Sequence, residues 1–177
     1  MIDPQAAVSV IEETIDSPIG ALPIAVDADG ALTRINFESR PPVPTVRGPL
    51  FALKHQPNVR RRGTDEGIQR VVDELDEYFD GNRTSFSIVT RPRGTPFQLR
   101  VWRALEAIPY GVTISYAELA LRVGNPNAVR AVGSANGANP IPVIIPCHRV
   151  IGSNGKLVGY GGGLDRKETL LALERSN

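Results

Sequence analysis

Apolar positions follow a period of two in the first part of the chain and a helical period further on. Residues 10–15 are a short run with apolar Val10, Ile11 and Ile15, which predicts a short strand. Residues 19–26 and 31–37 flank Asp27-Ala28-Asp29-Gly30, and the Asp and Gly residues suit a tight turn, so these two runs are predicted to pair as a hairpin. Ile68, Val71, Val72, Leu75, Tyr78 and Phe79 recur at helical spacing, which predicts a helix ending near Asp80-Gly81. Residues 86–89 read as one more strand. Between hairpin and helix, residues 38–66 carry five prolines, the triplet Arg60-Arg61-Arg62 and no clear period, which predicts a long loop.

The pattern from residue 95 onward is helical. Thr95-Pro96-Phe97-Gln98 has the spacing of a capping box with proline at the first helical position. Phe97, Val101, Ala104, Leu105 and Ile108 mark one face of the helix that follows. Ser115-Tyr116-Ala117-Glu118 predicts a second capping box and a short helix stopping at Gly124. Asn125-Pro126 is expected to open a third helix that reaches Asn136-Gly137. Two short helices about a glycine turn suggest a helix-turn-helix. The second of them carries small residues and a single charge, Arg130. Close helix–helix packing would explain the small residues equally well. Residues 143–145 are expected to form a short buried strand or extended run, 152–163 a glycine-rich loop, and the chain from Asp165 a final helix.

Composition and charge refine this picture. The chain has 177 residues with 41% hydrophobic and 22% charged, ordinary for a globular protein and long enough for a sizeable core. Its longest strongly apolar run, 141–147, is too short to cross a membrane, and no signal peptide is visible. A single cysteine excludes an internal disulfide framework, and with two histidines it falls short of the four N or S ligands that a structural zinc cage wants. A cytoplasmic protein is expected. Residues 1–90 hold 9 Lys/Arg and 14 Asp/Glu, whereas residues 91–177 hold 11 and 5. The second half is therefore basic, and an anionic partner such as nucleic acid is a candidate, with chance scatter the alternative.

The sharpest chemical feature is Pro146-Cys147-His148-Arg149-Val150. A lone cysteine among apolar residues is usually inert. Here an imidazole is its neighbour, and an oriented imidazole can take a thiol proton directly or through one water. Glu174, on the last helix, is a candidate to orient that imidazole as the acid does in other triads. A non-enzymatic helix-turn-helix binding protein and a Cys-His hydrolase are the competing readings.

The Pro-Cys-His-Arg-Val block resembles the active-site signature of the O6-alkylguanine-DNA alkyltransferases (methylated-DNA–protein-cysteine methyltransferases). The resemblance extends over residues 95–175 through Phe97-Gln98, Val101-Trp102, Ile108-Pro109-Tyr110-Gly111, Ser115-Tyr116, Arg130-Ala131-Val132-Gly133, Ala138-Asn139-Pro140 and Tyr160-Gly161-Gly162-Gly163. Asp16-Ser17-Pro18-Ile19-Gly20 before a hairpin resembles the start of the family's N-terminal domain.

The resemblance implies an α+β fold: a small N-terminal β-sheet domain with a flanking helix over 1–92, then a mostly helical domain with a helix-turn-helix over 93–177. It implies direct reversal of damage in double-stranded DNA, by irreversible transfer of the alkyl group from O6-alkylguanine, and potentially O4-alkylthymine, after base flipping from the minor groove. Cys147 would accept the alkyl group, His148 would take its proton through a water, and Glu174 would hold His148. Asn139 would bridge the turns around the site. Tyr116 would donate toward guanine N3 and Tyr160 would wall the pocket. The backbones of Cys147 and Val150 would accept from the exocyclic amine, and the N–H of Gly161 would donate toward O6. Arg130 would fill the space left by the extruded base. No metal or cofactor is implied, and the protein is expected to act as a monomer, with cooperative binding along DNA left open. The binding proteins related to this family lack the cysteine, which Cys147 argues against.

Overall fold

The computed structural model describes residues 10–38 and 66–176. Arg60, Arg61, Arg62 and nearly all of the proline-rich 38–66 stretch lie outside the described residues. Strands β1 (Ile11–Ile15), β2 (Leu22–Val26) and β3 (Leu32–Ile35) form an antiparallel sheet in that order, with Ile15 opposite Leu22 and Ile24 opposite Ile35. The expected hairpin turn is present. Gly30 takes φ 75°, and the Asp27 carboxylate accepts from the N–H groups of Asp29 and Ala31. Strand β2 is shorter than the 19–26 run. Gly20, at φ 99°, donates to the Ser17 carbonyl at 2.9 Å, so the chain is still turning at Ile19.

Helix α1 (Glu66–Phe79) packs on β1 and β2 through the six apolar side chains expected from its spacing, all of them buried. Burying each contributes about 2 kcal/mol, which is why an amphipathic stripe suffices to dock a helix. The 86–89 run is not a strand. It meets the edge of β3 only where Leu32 donates to the Val89 carbonyl and accepts from Arg91 N–H, both at 2.8 Å. The run is tied down instead by Glu74, whose carboxylate accepts from the backbone N–H and hydroxyl of Ser87.

Helix α2 (Pro96–Glu106) begins with the full capping box. Thr95 Oγ1 accepts from Gln98 N–H at 3.2 Å, and Gln98 Oε1 accepts from Thr95 N–H at 2.8 Å. Ile108 lies past the helix end yet is fully buried. Strand β4 (Ile114–Ser115) leads into α3 (Tyr116–Arg122). Only half of its expected capping box forms. Ser115 Oγ accepts from Glu118 N–H at 3.1 Å, but the Glu118 carboxylate pairs with Arg122 one turn on, at 2.6 Å. Helix α3 stops as expected at Gly124, φ 80°. Helix α4 (Val129–Gly137) starts later than Asn125-Pro126, because residues 125–128 close a turn through Ala128 N–H to the Asn125 carbonyl at 3.0 Å. Trp102 Nε1 donates to the Ala135 carbonyl at 2.8 Å and locks α2 to α4.

Residues 143–145 are not extended either. Val143 has φ 75°, and Ile145 N–H donates to the Ile141 carbonyl at 2.9 Å, a tight turn. A 3-10 turn (Cys147–Arg149) and strand β5 (Val150–Ile151) follow, and β5 pairs in parallel with β4, Ile114 opposite Val150. The helix-turn-helix is thereby joined by backbone to the cysteine segment. Helix α5 (Leu164–Arg175) closes the structure. The molecule is α+β, and its sheet, α1 and helical part share one continuous apolar core. Polar contacts also cross residue 92: Ile35 N–H donates to the Pro140 carbonyl at 2.8 Å, and Arg166 Nε to the Ile19 carbonyl at 2.7 Å. No helix among the described residues is long and apolar enough to cross a membrane.

Candidate active site

Cys147 sits at the first position of the 3-10 turn, buried, at the end of the tight turn that Val143 makes possible. Asn139 builds that turn. Its Nδ2 donates to the Ile145 carbonyl at 2.8 Å and its Oδ1 accepts from Ile141 N–H at 3.0 Å, so one side chain ties together both limbs of the approach to Cys147. Burial pushes the Cys147 thiol up to about 11, against smaller opposing effects of Asn139 and the Lys167 charge. The resting sulfur is therefore a thiol, and a nucleophilic role requires a base.

The next residue in the chain is a histidine. His148 is fully buried and its Nε2 lies 2.8 Å from Glu174 Oε1. Burial alone would raise the Glu174 carboxyl, but the hydrogen bonds and charges of His148 and Arg149 outweigh it and hold the group well below the usual carboxylate range. An ionised carboxylate accepts, so Nε2 of the neutral imidazole carries the proton and Nδ1 keeps the lone pair. Nδ1 is buried with no hydrogen-bond partner among the described residues. Burial lowers the His148 pKa, with Glu174 opposing, so the ring is neutral near pH 7. Arg149 grips Glu174 bidentately, Nε to Oε2 at 2.9 Å and Nη2 to Oε1 at 2.8 Å, and its Nη1 donates to the Ile108 carbonyl at 2.6 Å.

Cys147 opens into a cavity of about 480 Å³ that Asn139, Tyr160 and Gly161 also line. Tyr160 keeps a buried hydroxyl without a partner among the described residues, and burial followed by the nearby Cys147 raises its pKa well above 10.0. Three of the remaining expected residues lie outside the cavity lining. The half-buried Tyr116 donates from its hydroxyl to the Val158 and Gly159 carbonyls at 3.2 and 3.3 Å. Val150 is fully buried and its carbonyl accepts from Lys167 Nζ at 2.6 Å. Arg130 stands exposed near the start of α4. Among the described residues no group of three or more His, Cys, Asp or Glu could hold a metal.

Several residues at the site were not anticipated. The N-terminal part supplies Phe37 to the cavity wall, with its ring centroid 5.7 Å from that of Tyr160. Asn136 lines the same wall, with Nδ2 3.4 Å from the Cys147 carbonyl and Oδ1 buried without a hydrogen-bond partner among the described residues. Lys167 is fully buried, and its Nζ donates to the carbonyls of Val150, Val158 and Gly159. Burial pulls it down to about 8. Lys167 was findable, since it shares a helical stripe with Leu170, Leu171 and Glu174. Phe37 and Asn136 carry no comparable local signal.

Residues 96–176 match the family model "6-O-methylguanine DNA methyltransferase, DNA binding domain", and residues 10–92 match "6-O-methylguanine DNA methyltransferase, ribonuclease-like domain". The methylated-DNA–protein-cysteine methyltransferase of Mycolicibacterium paratuberculosis is 50% identical over 165 residues, covering 92% of this chain and 90% of that protein. The one from Salmonella typhimurium is 43% identical, with coverage of 93% and 95%. The crystal structure of Mycobacterium tuberculosis O6-methylguanine methyltransferase aligns with a TM-score of 0.75 at 46% identity, covering 95% and 94% of the two chains. Mycobacterium tuberculosis OGT in complex with DNA aligns with a TM-score of 0.75 at 47% identity, covering 93% and 92%.

Proposed function

This chain belongs to the methylated-DNA–protein-cysteine methyltransferase family and repairs DNA by transferring an alkyl group to a cysteine of its own, and we propose that Cys147 is that cysteine and O6-alkylguanine its substrate. The observation that carries the assignment is the position of Cys147. It lines the cavity, and the residue that follows it, His148, is hydrogen-bonded to Glu174.

The thiol proton passes to His148 Nδ1 through a water, and the imidazolium is held by Glu174 Oε1. The sulfur attacks the alkyl carbon. The S–C bond forms as the C–O6 bond breaks, and the electron pair stays on guanine. The Gly161 N–H donates toward O6, and Tyr116 exchanges its carbonyl partners for guanine N3 as charge develops there. The carbonyls of Cys147 and Val150 accept from the exocyclic amine; that of Val150 now accepts from Lys167 Nζ, and that of Cys147, which accepts from Val150 N–H and at 3.4 Å from Asn136 Nδ2, exchanges the long Asn136 contact for the amine. Because a thioether does not hydrolyse, each molecule acts once.

A stacked base cannot reach a buried thiol, so the damaged nucleotide must be flipped, at a cost of a few kcal/mol. Helix α4 enters the minor groove with its small residues, and the exposed Arg130 fills the vacated stack. The chain works as a monomer of two units, 1–92 and 93–177. A free thiol nucleophile suits the reducing cytoplasm.

The test is stoichiometry. With duplex DNA carrying O6-methylguanine in excess, loss of the lesion stops at one per protein molecule. Continued turnover would identify a hydrolase instead.

A further inference from the structure

Glu174, the carboxylate behind His148, does not rest on the helical domain alone. The hydroxyl of Tyr78, on the last turn of α1, donates to Glu174 Oε1 at 2.7 Å across 96 positions of sequence. Tyr78 is fully buried, and its ring is fixed by Phe79, Phe86 and Tyr110 at centroid distances of 5.4, 5.3 and 6.1 Å. Tyr110 in turn stacks under the Arg149 guanidinium, 5.7 Å from its centroid.

We propose that Tyr78 is a positioning residue for alkyl transfer, supplied by the N-terminal unit, which holds Glu174 against His148 and sets how strongly that carboxylate supports the imidazolium. The proposal rests on the reading of His148 as the base. Its ground is the distribution of donors. Oε2 receives two, Arg149 Nε and Gly111 N–H at 3.1 Å. Oε1 receives three: His148 Nε2, Arg149 Nη2 and the Tyr78 hydroxyl. Tyr78 thus shares the same oxygen as the base, and each increment of charge it draws is charge withheld from His148. A core tyrosine that only needed an acceptor could use any carbonyl; this one is aimed at a buried ionised carboxylate. Burial and the Glu174 charge both raise its pKa, so it stays a donor at every pH of interest.

The groups facing this pair come from five segments. They are Tyr78 from α1, Tyr110 and Gly111 from the turn after α2, His148 and Arg149 from the 3-10 turn, and Tyr160 and Lys167 from the loop before α5 and from α5 itself. Burial, followed by the nearby Cys147, raises the Tyr160 pKa, so that group stays neutral over this range. His148 is the group that titrates on the acid side of neutrality.

The experiment measures the rate constant for alkylation of Cys147 by free O6-benzylguanine, which needs no DNA and no base flipping, from pH 5 to 9. Tyr78→Phe keeps the ring and loses only the donor. It is expected to react about five-fold more slowly at neutral pH, because Glu174 is no longer anchored from α1 and orients His148 less well, a loss that outweighs the gain in basicity. Without that donor the carboxylate is more basic, so the acid limb of its profile moves up, by about half a pH unit. Replacement of Tyr78 by 3-fluorotyrosine, nearly the same shape but a stronger donor, moves the limb down. In a Glu174→Gln background the further change Tyr78→Phe has less than about a two-fold effect, because the shared carboxylate is gone. If Tyr78→Phe slows both backgrounds equally and leaves the limb in place, Tyr78 supports the fold and the proposal fails. If Glu174→Gln itself reacts at the native rate, the base assignment beneath the proposal fails with it.

Discussion

His148 Nε2 and Glu174 Oε1 are 2.8 Å apart, and neither side chain exposes any surface to solvent. The pair predicts how activity responds to pH. Burial depresses the His148 pKa below its ordinary 6.5, so the base remains neutral through and below that value. The single-turnover rate constant should stay level from neutral pH to 6.5 and fall only further into acid. A profile that falls from pH 7.5 would place the base elsewhere.

Stability should follow the same direction. The folded-state pKa of His148 lies below its unfolded value, and so does that of Glu174. In both cases the unfolded chain binds the proton more readily, so stability is lost as pH falls. The loss begins below 6.5 through His148 and steepens below about 4.3, the unfolded carboxyl value, through Glu174. Urea melts across that range, on native protein and on Glu174→Gln, check this; the variant should lack the steep part.

Glu174→Gln also leaves the buried Arg149 guanidinium without its counter-charge. Removing one partner of a buried pair costs about 3–5 kcal/mol, and the amide can still accept some of the hydrogen bonds, so the lower end is expected. Transfer should slow without vanishing. Thermal melting together with single-turnover rates would separate the two effects, and unchanged values of both would make Glu174 incidental.

Gly162→Ala tests the wall contributed by the N-terminal part. A Cβ at Gly162 would lie 2.6 Å from the Phe37 ring, which packs on Tyr160 and under Arg166. A rigid ring cannot yield as a flexible chain end does. The expected cost is about 1–3 kcal/mol. Displacing Phe37 should also change the relative rates for small and bulky O6 substituents, as competition between methylated and benzylated substrates would reveal.

Local signals in the sequence were strong where local physics decides. The Thr95 capping box, the α1 stripe and the Asp27–Gly30 turn each depend on residues within a few positions. The errors arose where a distant partner decides. Residues 86–89 have strand character, but Glu74 claims the Ser87 backbone. Val143 is β-branched, yet Asn139 and the Ile141 carbonyl bend its segment into a positive φ that residue type alone argues against. In the site, the Cys147–His148 adjacency is readable from the chain. The meeting of Tyr78, Gly111, Arg149 and Glu174 is a product of packing and has no local signature.

Arg130 separates extrusion from chemistry. It is exposed and lies outside the cavity lining, so it can act on the duplex without touching the thiol. Arg130→Ala should slow transfer from duplex DNA by one or more orders of magnitude, since extrusion costs a few kcal/mol. It should leave the reaction with free O6-benzylguanine near the native rate. Arg130→Lys should fall between, keeping charge but losing the planar stacking group. Equal losses on both substrates would make Arg130 a support of the fold. Lysine that serves as well as arginine would make it a phosphate contact.

The measurement that bears most directly on the assignment is peptide mass mapping after reaction with duplex DNA containing O6-methylguanine. The peptide containing Cys147 should gain one methyl group, on sulfur, that survives dialysis and denaturation. Cys147→Ser should gain none while still binding the duplex, because a hydroxyl at neutral pH is a far weaker nucleophile. A methyl group found on any other residue, or lesion loss with an unmodified Cys147, would contradict the account.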